Sequence, residues 1–217
     1  MSPGLLALLS GLLLATGEPG EAPRGREIDR VVAVIRNGSM EPRVVTQSRV
    51  EEETRIAIIA RGGGLAATEA LDEATLAAGL QALIDETLLG DDATRLQVFE
   101  SETGMEDPLV AFRAQFARPA DYQAFLLRWD LSEDDVTAVL RRKARVERYL
   151  ESRVSHAAQV SEGEITAWLD ENAASIGARD RDLARARLTE QRVRDEVKTF
   201  VRDLRARADV RLLPKAN

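Results

Sequence analysis

Few residues in this chain are of the types that do chemistry. The single histidine, His156, follows Ser155. A serine nucleophile needs a base and a third group to orient it. No second histidine and no G-x-S-x-G elbow is present, so His156 reads as a surface or helix-end residue. Metal sites built on His and Cys are excluded by count, because the chain has no cysteine. Acidic runs at Glu51-Glu52-Glu53, Asp91-Asp92 and Asp180-Arg181-Asp182 lack the order of a calcium loop and read as solvated helix faces. One phosphate-binding pattern occurs. Gly62-Gly63-Gly64-Leu65-Ala66-Ala67 fits G-x-G-x-x-A, with residues 55–60 in the place of a preceding strand. A dinucleotide site also needs a second strand about 20 residues on, ending in an acid. The spacing of residues 76–89 is helical instead, so neither a nucleotide nor any other cofactor is expected.

What remains is a set of large apolar side chains. Phe99, Met105, Phe112, Phe116, Tyr122, Phe125, Trp129 and Trp168 include most of the aromatics of a chain that is only 4% aromatic. Residues of this kind build cores, and that is the commoner use. Some of them are also the candidates to line a groove for extended, apolar polypeptide.

The elements that must position them read as helices. Residues 82–99 place Leu83, Ile84, Leu88, Leu89, Leu96 and Val98 on one stripe, which Leu76 and Leu80 extend upstream. This is the expected central helix. Before it, residues 28–36 are β-branched, Asn37-Gly38 is a turn signal, and Val44-Val45 can return as a second strand. Ser48 and Glu51 have the spacing of a capping box for a helix running to about residue 60. Leu109, Phe112 and Phe116 share one side of a short helix that ends before Arg118-Pro119. Asp121 is placed to cap the next, which carries Tyr122, Phe125, Leu126 and Trp129. Ser132 and the three acids after it open a helix through Val136, Val139, Leu140, Val146, Tyr149 and Leu150. Ser161 and Glu164 form another capping box, ahead of Ile165, Trp168 and Leu169. Residues 183–208 form a long closing helix with Val193, Val197, Phe200, Val201 and Leu204 in register. Residues 209–213 then read as a strand. Short strands at the two ends of a chain are unstable alone, so residues 210–213 are expected to pair with residues 31–35.

Length and charge agree with this picture. A chain of 217 residues can bury a sizeable core, and 44% hydrophobic content is ordinary. The net charge of −7 argues against binding nucleic acid. Residues 69–107 hold eleven acids and one base (−10), whereas residues 179–207 hold ten bases and six acids (+4). These two segments could dock on each other or present opposite faces to a client. Residues 4–15 are a twelve-residue apolar run, too short for a comfortable membrane span and of signal-peptide length. With small residues at 15–17, residues 1–17 read as a leader cleaved after Gly17, and 18–27 as a flexible linker.

Several segments share a family likeness. The stretches VVAVIRNG and VVTQSRVEEE, ALIDETLLGDDATRL, DLSEDDVTAVLRRKARVERYLESRV, VSEGEITAWLDEN and FVRDLRARADVRLL follow one another in an order that resembles the SurA-type periplasmic chaperones. The likeness covers roughly residues 30–213. It implies a mostly α, SurA N-domain-like helical domain over residues 28–213: hairpin 28–46, helices 48–174, closing helix and strand 179–213. It also implies ATP-independent holding of unfolded outer-membrane or exported polypeptides in the periplasm, with no stable membrane insertion after leader cleavage. The family's parvulin domain needs on the order of 100 residues, and only about ten lie where it would be inserted. Prolyl-isomerase activity is therefore not expected. The other readings are a non-catalytic adaptor subunit on the same scaffold and, more distantly, an isomerase-related enzyme.

Overall fold

The computed structural model describes residues 29–96, 107–154, 159–172 and 180–214. The chain enters through β1 (Val31–Arg36), turns at Asn37-Gly38, and returns as β2 (Arg43–Thr46). Gly38 has φ +59, the left-handed backbone for which glycine carries no Cβ penalty. Helix α1 (Gln47–Ala60) follows without a break. A 3-10 turn at Gly64–Ala67 leads to α2 (Glu73–Arg95), then α3 (Pro108–Arg113), α4 (Pro119–Arg128), α5 (Glu133–Val154), α6 (Glu162–Glu171), α7 (Arg181–Arg207) and β3 (Asp209–Leu212). The fold is mostly α with one small antiparallel sheet.

The two ends of the described chain meet in that sheet. Its order is β2-β1-β3, with Ala33 opposite Leu212 and Ile35 opposite Val210. The Leu213 amide donates to the Val32 carbonyl at 2.9 Å, extending the ladder one residue past β3. On the other side β1 pairs with β2 through a bulge between Val31 and Ala33. The buried face of the sheet, with Ala33, Ile35 and Val45, packs on Leu83, Ile84 and Leu88 of α2, Tyr149 of α5 and Leu204 of α7. α2 is the central helix, but it starts at Glu73. Leu96, on the expected stripe, is its exposed C-cap residue. Val98 lies outside the described residues.

A second core sits beside the first. Ile56 and Ile59 of α1, Phe112, Tyr122, Phe125, and Val136, Val139 and Leu140 of α5 form it. Between the two cores runs a seam of charge. Glu53 of α1 accepts from Arg49 at 2.8 Å and also pairs with Arg142 of α5. Glu86 of α2 pairs with Arg142 at 2.7 Å and Lys143 at 2.5 Å. α5 therefore carries apolar residues at each end and its cations in the middle. Helices α1 and α2 cross at Gly79, where a Cβ would come within 1.8 Å of the Thr54 hydroxyl oxygen. Only glycine permits that approach.

Three local expectations need correction. Ser48 is inside α1, whose N-cap is Thr46. The carboxylate that takes the Ser48 amide belongs to Asp29. Asp121 is not the cap of α4: Arg118 holds the N-cap position, Pro119 opens the helix, and Asp121 pairs with Arg118 at 2.6 Å. Helix α3 stops at Arg113, so Phe116, expected on its side, lies beyond the helix end. The Ser161 box on α6 forms as the spacing predicts, with both reciprocal hydrogen bonds.

Candidate functional site

The candidate aromatics separate into three groups. Phe112, Tyr122 and Phe125 are buried in the second core. Phe116 packs against it from the edge, 5.4 Å from the Tyr122 ring and 5.5 Å from that of Phe125. These rings meet edge-on or tilted, the arrangement their quadrupoles favour. In this conformation Phe112, Tyr122 and Phe125 are core, and a client could touch them only if α3 and α4 moved. Phe99, Met105, His156 and residues 1–17 lie outside the described residues. Trp129 and Trp168 are half-buried, in two different places.

Trp129 belongs to a latch around the triple glycine. α4 ends with Asp130 in the left-handed region, φ 51, and the Leu131 amide turns back to the Leu126 carbonyl at 3.0 Å. This turn aims the Trp129 ring at α1, where the Arg55 guanidinium lies 3.3 Å from the ring centroid. Arg55 is fully buried. It donates to Glu51 at 2.8 Å, to the Glu69 carbonyl at 2.7 Å and to the Ala66 carbonyl, while its Nε finds no acceptor. The Trp129 indole N–H donates to the Ala67 carbonyl at 2.9 Å. Residues 66–69 are therefore held from both sides.

Beside this latch is a cleft of about 400 Å³. Ile58, Leu65, Ala66 and Leu71 form its apolar wall, with Glu69 and Asp72 on the polar side. The triple glycine lines it too, but not as a phosphate cradle. The Gly62 amide donates to Ile59, the Gly63 amide to Ile58, and the Gly64 amide to Gly62, at 2.9, 3.0 and 3.0 Å. Those N–H groups close α1 and are not available to an anion. The segment before them, residues 55–60, is helix, so the dinucleotide pattern has no structural counterpart here. Sequence reasoning passed over this cleft because it treated the glycines only as a nucleotide motif. Exposed Leu65, beside three glycines that no core could use, was the available signal.

Trp168 sits on a different surface. Helices α6 and α7 form an antiparallel hairpin. Arg181 reaches Glu162 at 2.7 Å, Arg185 reaches Glu162 at 2.5 Å, and Arg192 reaches Glu164 and the Gln159 carbonyl. Ile165 and Ala184 are fully buried between them. Trp168, Leu169 and Leu188 stay partly exposed, and Leu183 is 39% exposed. The Ser161 amide and hydroxyl and the Arg192 guanidinium pull the Glu164 carboxyl down to about 2. The far half of α7 does other work: Phe200, Val201 and Leu204 pack on the first core, and Arg205 bonds Asp85 at 2.5 Å and Gln81 at 2.8 Å. The acidic α2 and the basic α7 thus dock on each other there.

Asp91 and Asp92, read as a solvated run, are buried instead. Asp91 accepts from Arg43 of β2 at 2.9 and 3.1 Å. Asp92 accepts from the Tyr149 hydroxyl at 2.6 Å and from Arg95. Burial pushes the Asp92 carboxyl up, but the donors from Tyr149 and Arg95 outweigh it and hold the carboxyl below its usual range. Burial and the same hydrogen bond push the Tyr149 phenol up to about 12. Both aspartates therefore tie strand and helix to α2. Among the described residues no group of three or more His, Asp or Glu side chains is placed to hold a metal ion, and no helix is long and apolar enough to cross a membrane. No protein-family model matches this chain, and no curated protein matches it.

Proposed function

We propose that this protein holds unfolded polypeptide without nucleotide and without chemistry, acting as an exported, SurA-like chaperone of the periplasm. One observation carries the reading. The α6–α7 hairpin buries little between its helices and leaves Trp168, Leu169, Leu183 and Leu188 partly open to solvent. A surface of that kind attracts apolar segments of another chain through non-directional burial, about 25 cal/mol per Å² of apolar area removed from water. The order of sequence segments that resemble those of the SurA-type chaperones supports the same reading.

The test is aggregation of a urea-unfolded outer-membrane β-barrel protein, diluted into nucleotide-free buffer and followed by light scattering. The protein is expected to suppress scattering near equimolar ratio, and a variant with Leu183→Glu and Leu188→Glu is expected to lose most of that effect while keeping its helical circular dichroism. Undiminished scattering at several-fold molar excess of the intact protein sinks the proposal.

A further inference from the structure

The cleft beside the triple glycine has an acidic rim and no cation in its lining. Several carboxylates elsewhere are paired with arginine: Asp85 with Arg205, Asp91 with Arg43, Asp121 with Arg118, Glu133 with Arg113 and Glu162 with Arg181. At the cleft, Glu69 and Asp72 are exposed, and neither has a cation partner among the described residues. No lysine or arginine lines it. Hydrogen bonds from Thr75 hold the Asp72 carboxyl below its usual range, so it is anionic at neutral pH. Opposite the acids stands an aliphatic wall, with Leu65 70% exposed. The volume, about 400 Å³, lies in the range of ligand pockets. The site is also preformed, because Arg55 and Trp129 fasten the 66–69 backbone that builds one side of it.

We propose that this cleft binds an extended peptide segment in which large apolar side chains are flanked by lysine or arginine. Apolar burial supplies the attraction, and the two carboxylates, of which Asp72 also caps α2, select the flanking charge. The proposal rests on the holding function above for the nature of its occupant, and it adds a preference that a purely apolar surface does not have.

Fluorescence anisotropy of the full chain with two labelled decapeptides tests it. Both carry Leu-Phe-Leu, flanked in one by lysines and in the other by glutamates. At low salt the lysine peptide is expected to bind about tenfold tighter, a margin that shrinks as ionic strength rises. Glu69→Gln combined with Asp72→Asn, which keeps a capping side chain on α2, is expected to abolish the margin. Gly64→Trp is expected to weaken both peptides, because a Cβ at Gly64 meets nothing within 4 Å and the ring can occupy the cleft. Equal binding of the two peptides, a margin that survives the double variant, or indifference to Gly64→Trp overturns the proposal. Suppressed aggregation with no peptide binding defeats the cleft and spares the holding reading. Selective peptide binding without suppressed aggregation does the reverse.

Discussion

Glu86 and Glu162 each hold two cations at nearly the same distances. Glu86 has Arg142 at 2.7 Å and Lys143 at 2.5 Å, and Glu162 has Arg181 at 2.7 Å and Arg185 at 2.5 Å. Their surroundings differ: the Glu86 side chain is 9% exposed and that of Glu162 is 65% exposed. Between α1, α2 and α5 the carboxylates of Glu53 and Glu86 have left water, so each depends on the half-buried Arg142 and Lys143 for its charge. On the hairpin, water and salt replace a lost partner. The same pairing thus fixes how three helices meet in the body, and only loosely zips α6 to α7. A body fixed by its buried charges and an arm held lightly by exposed ones would suit the holding function proposed above.

The largest effect that could break this comparison is at the seam. Glu86→Ala leaves Lys143 without its carboxylate and Arg142 with Glu53 alone, and should cost about 1–3 kcal/mol in urea unfolding. A loss comparable to that of a surface substitution would mean that the seam is wet and the contrast false. A smaller effect comes from the buried Tyr149–Asp92 bond. The folded phenol titrates at about 12 against 10 when free. Its contribution is therefore complete below pH 10 and is lost as pH rises from there towards 12. Tyr149→Phe should remove that alkaline limb, and an unchanged limb would assign it to other groups. The smallest effect is on the hairpin. Glu162→Ala should barely move the unfolding midpoint at physiological salt, with a visible shift only at low ionic strength. A large, salt-insensitive loss would put the hairpin in the same class as the seam.

Much of the architecture was legible beforehand, and particular residues show why. The stripe of Leu83, Ile84, Leu88 and Leu89, the Ser161–Glu164 box and the start of α4 at Pro119 act over three or four residues, the range in which sequence spacing maps directly onto helix geometry. The closing strand was legible for a different reason: a short hairpin near one end and a lone short strand near the other are each unstable by themselves. The misreadings share a cause. Asp29 caps α1 from 19 residues away, and nothing in Ser48-Arg49-Val50-Glu51 records its arrival. Asp91 and Asp92 look like a solvated pair until Arg43 and Tyr149 are brought to them.

The candidate site was legible only as a list of side chains. The aromatics between residues 112 and 129 could be named, but whether each faces core or solvent depends on where α3 and α4 land on α1 and α5. Chain order and side-chain periodicity determined the helices, their main breaks and the meeting of the two ends. Tertiary structure alone decided which carboxylates went into the seam, which stand at a cleft lined by no cation, and that three glycines would follow a helix with their amides already used. Periodicity reports which face of an element is apolar; the pairing of charges depends on distances between elements far apart in the chain, which only the packed structure sets.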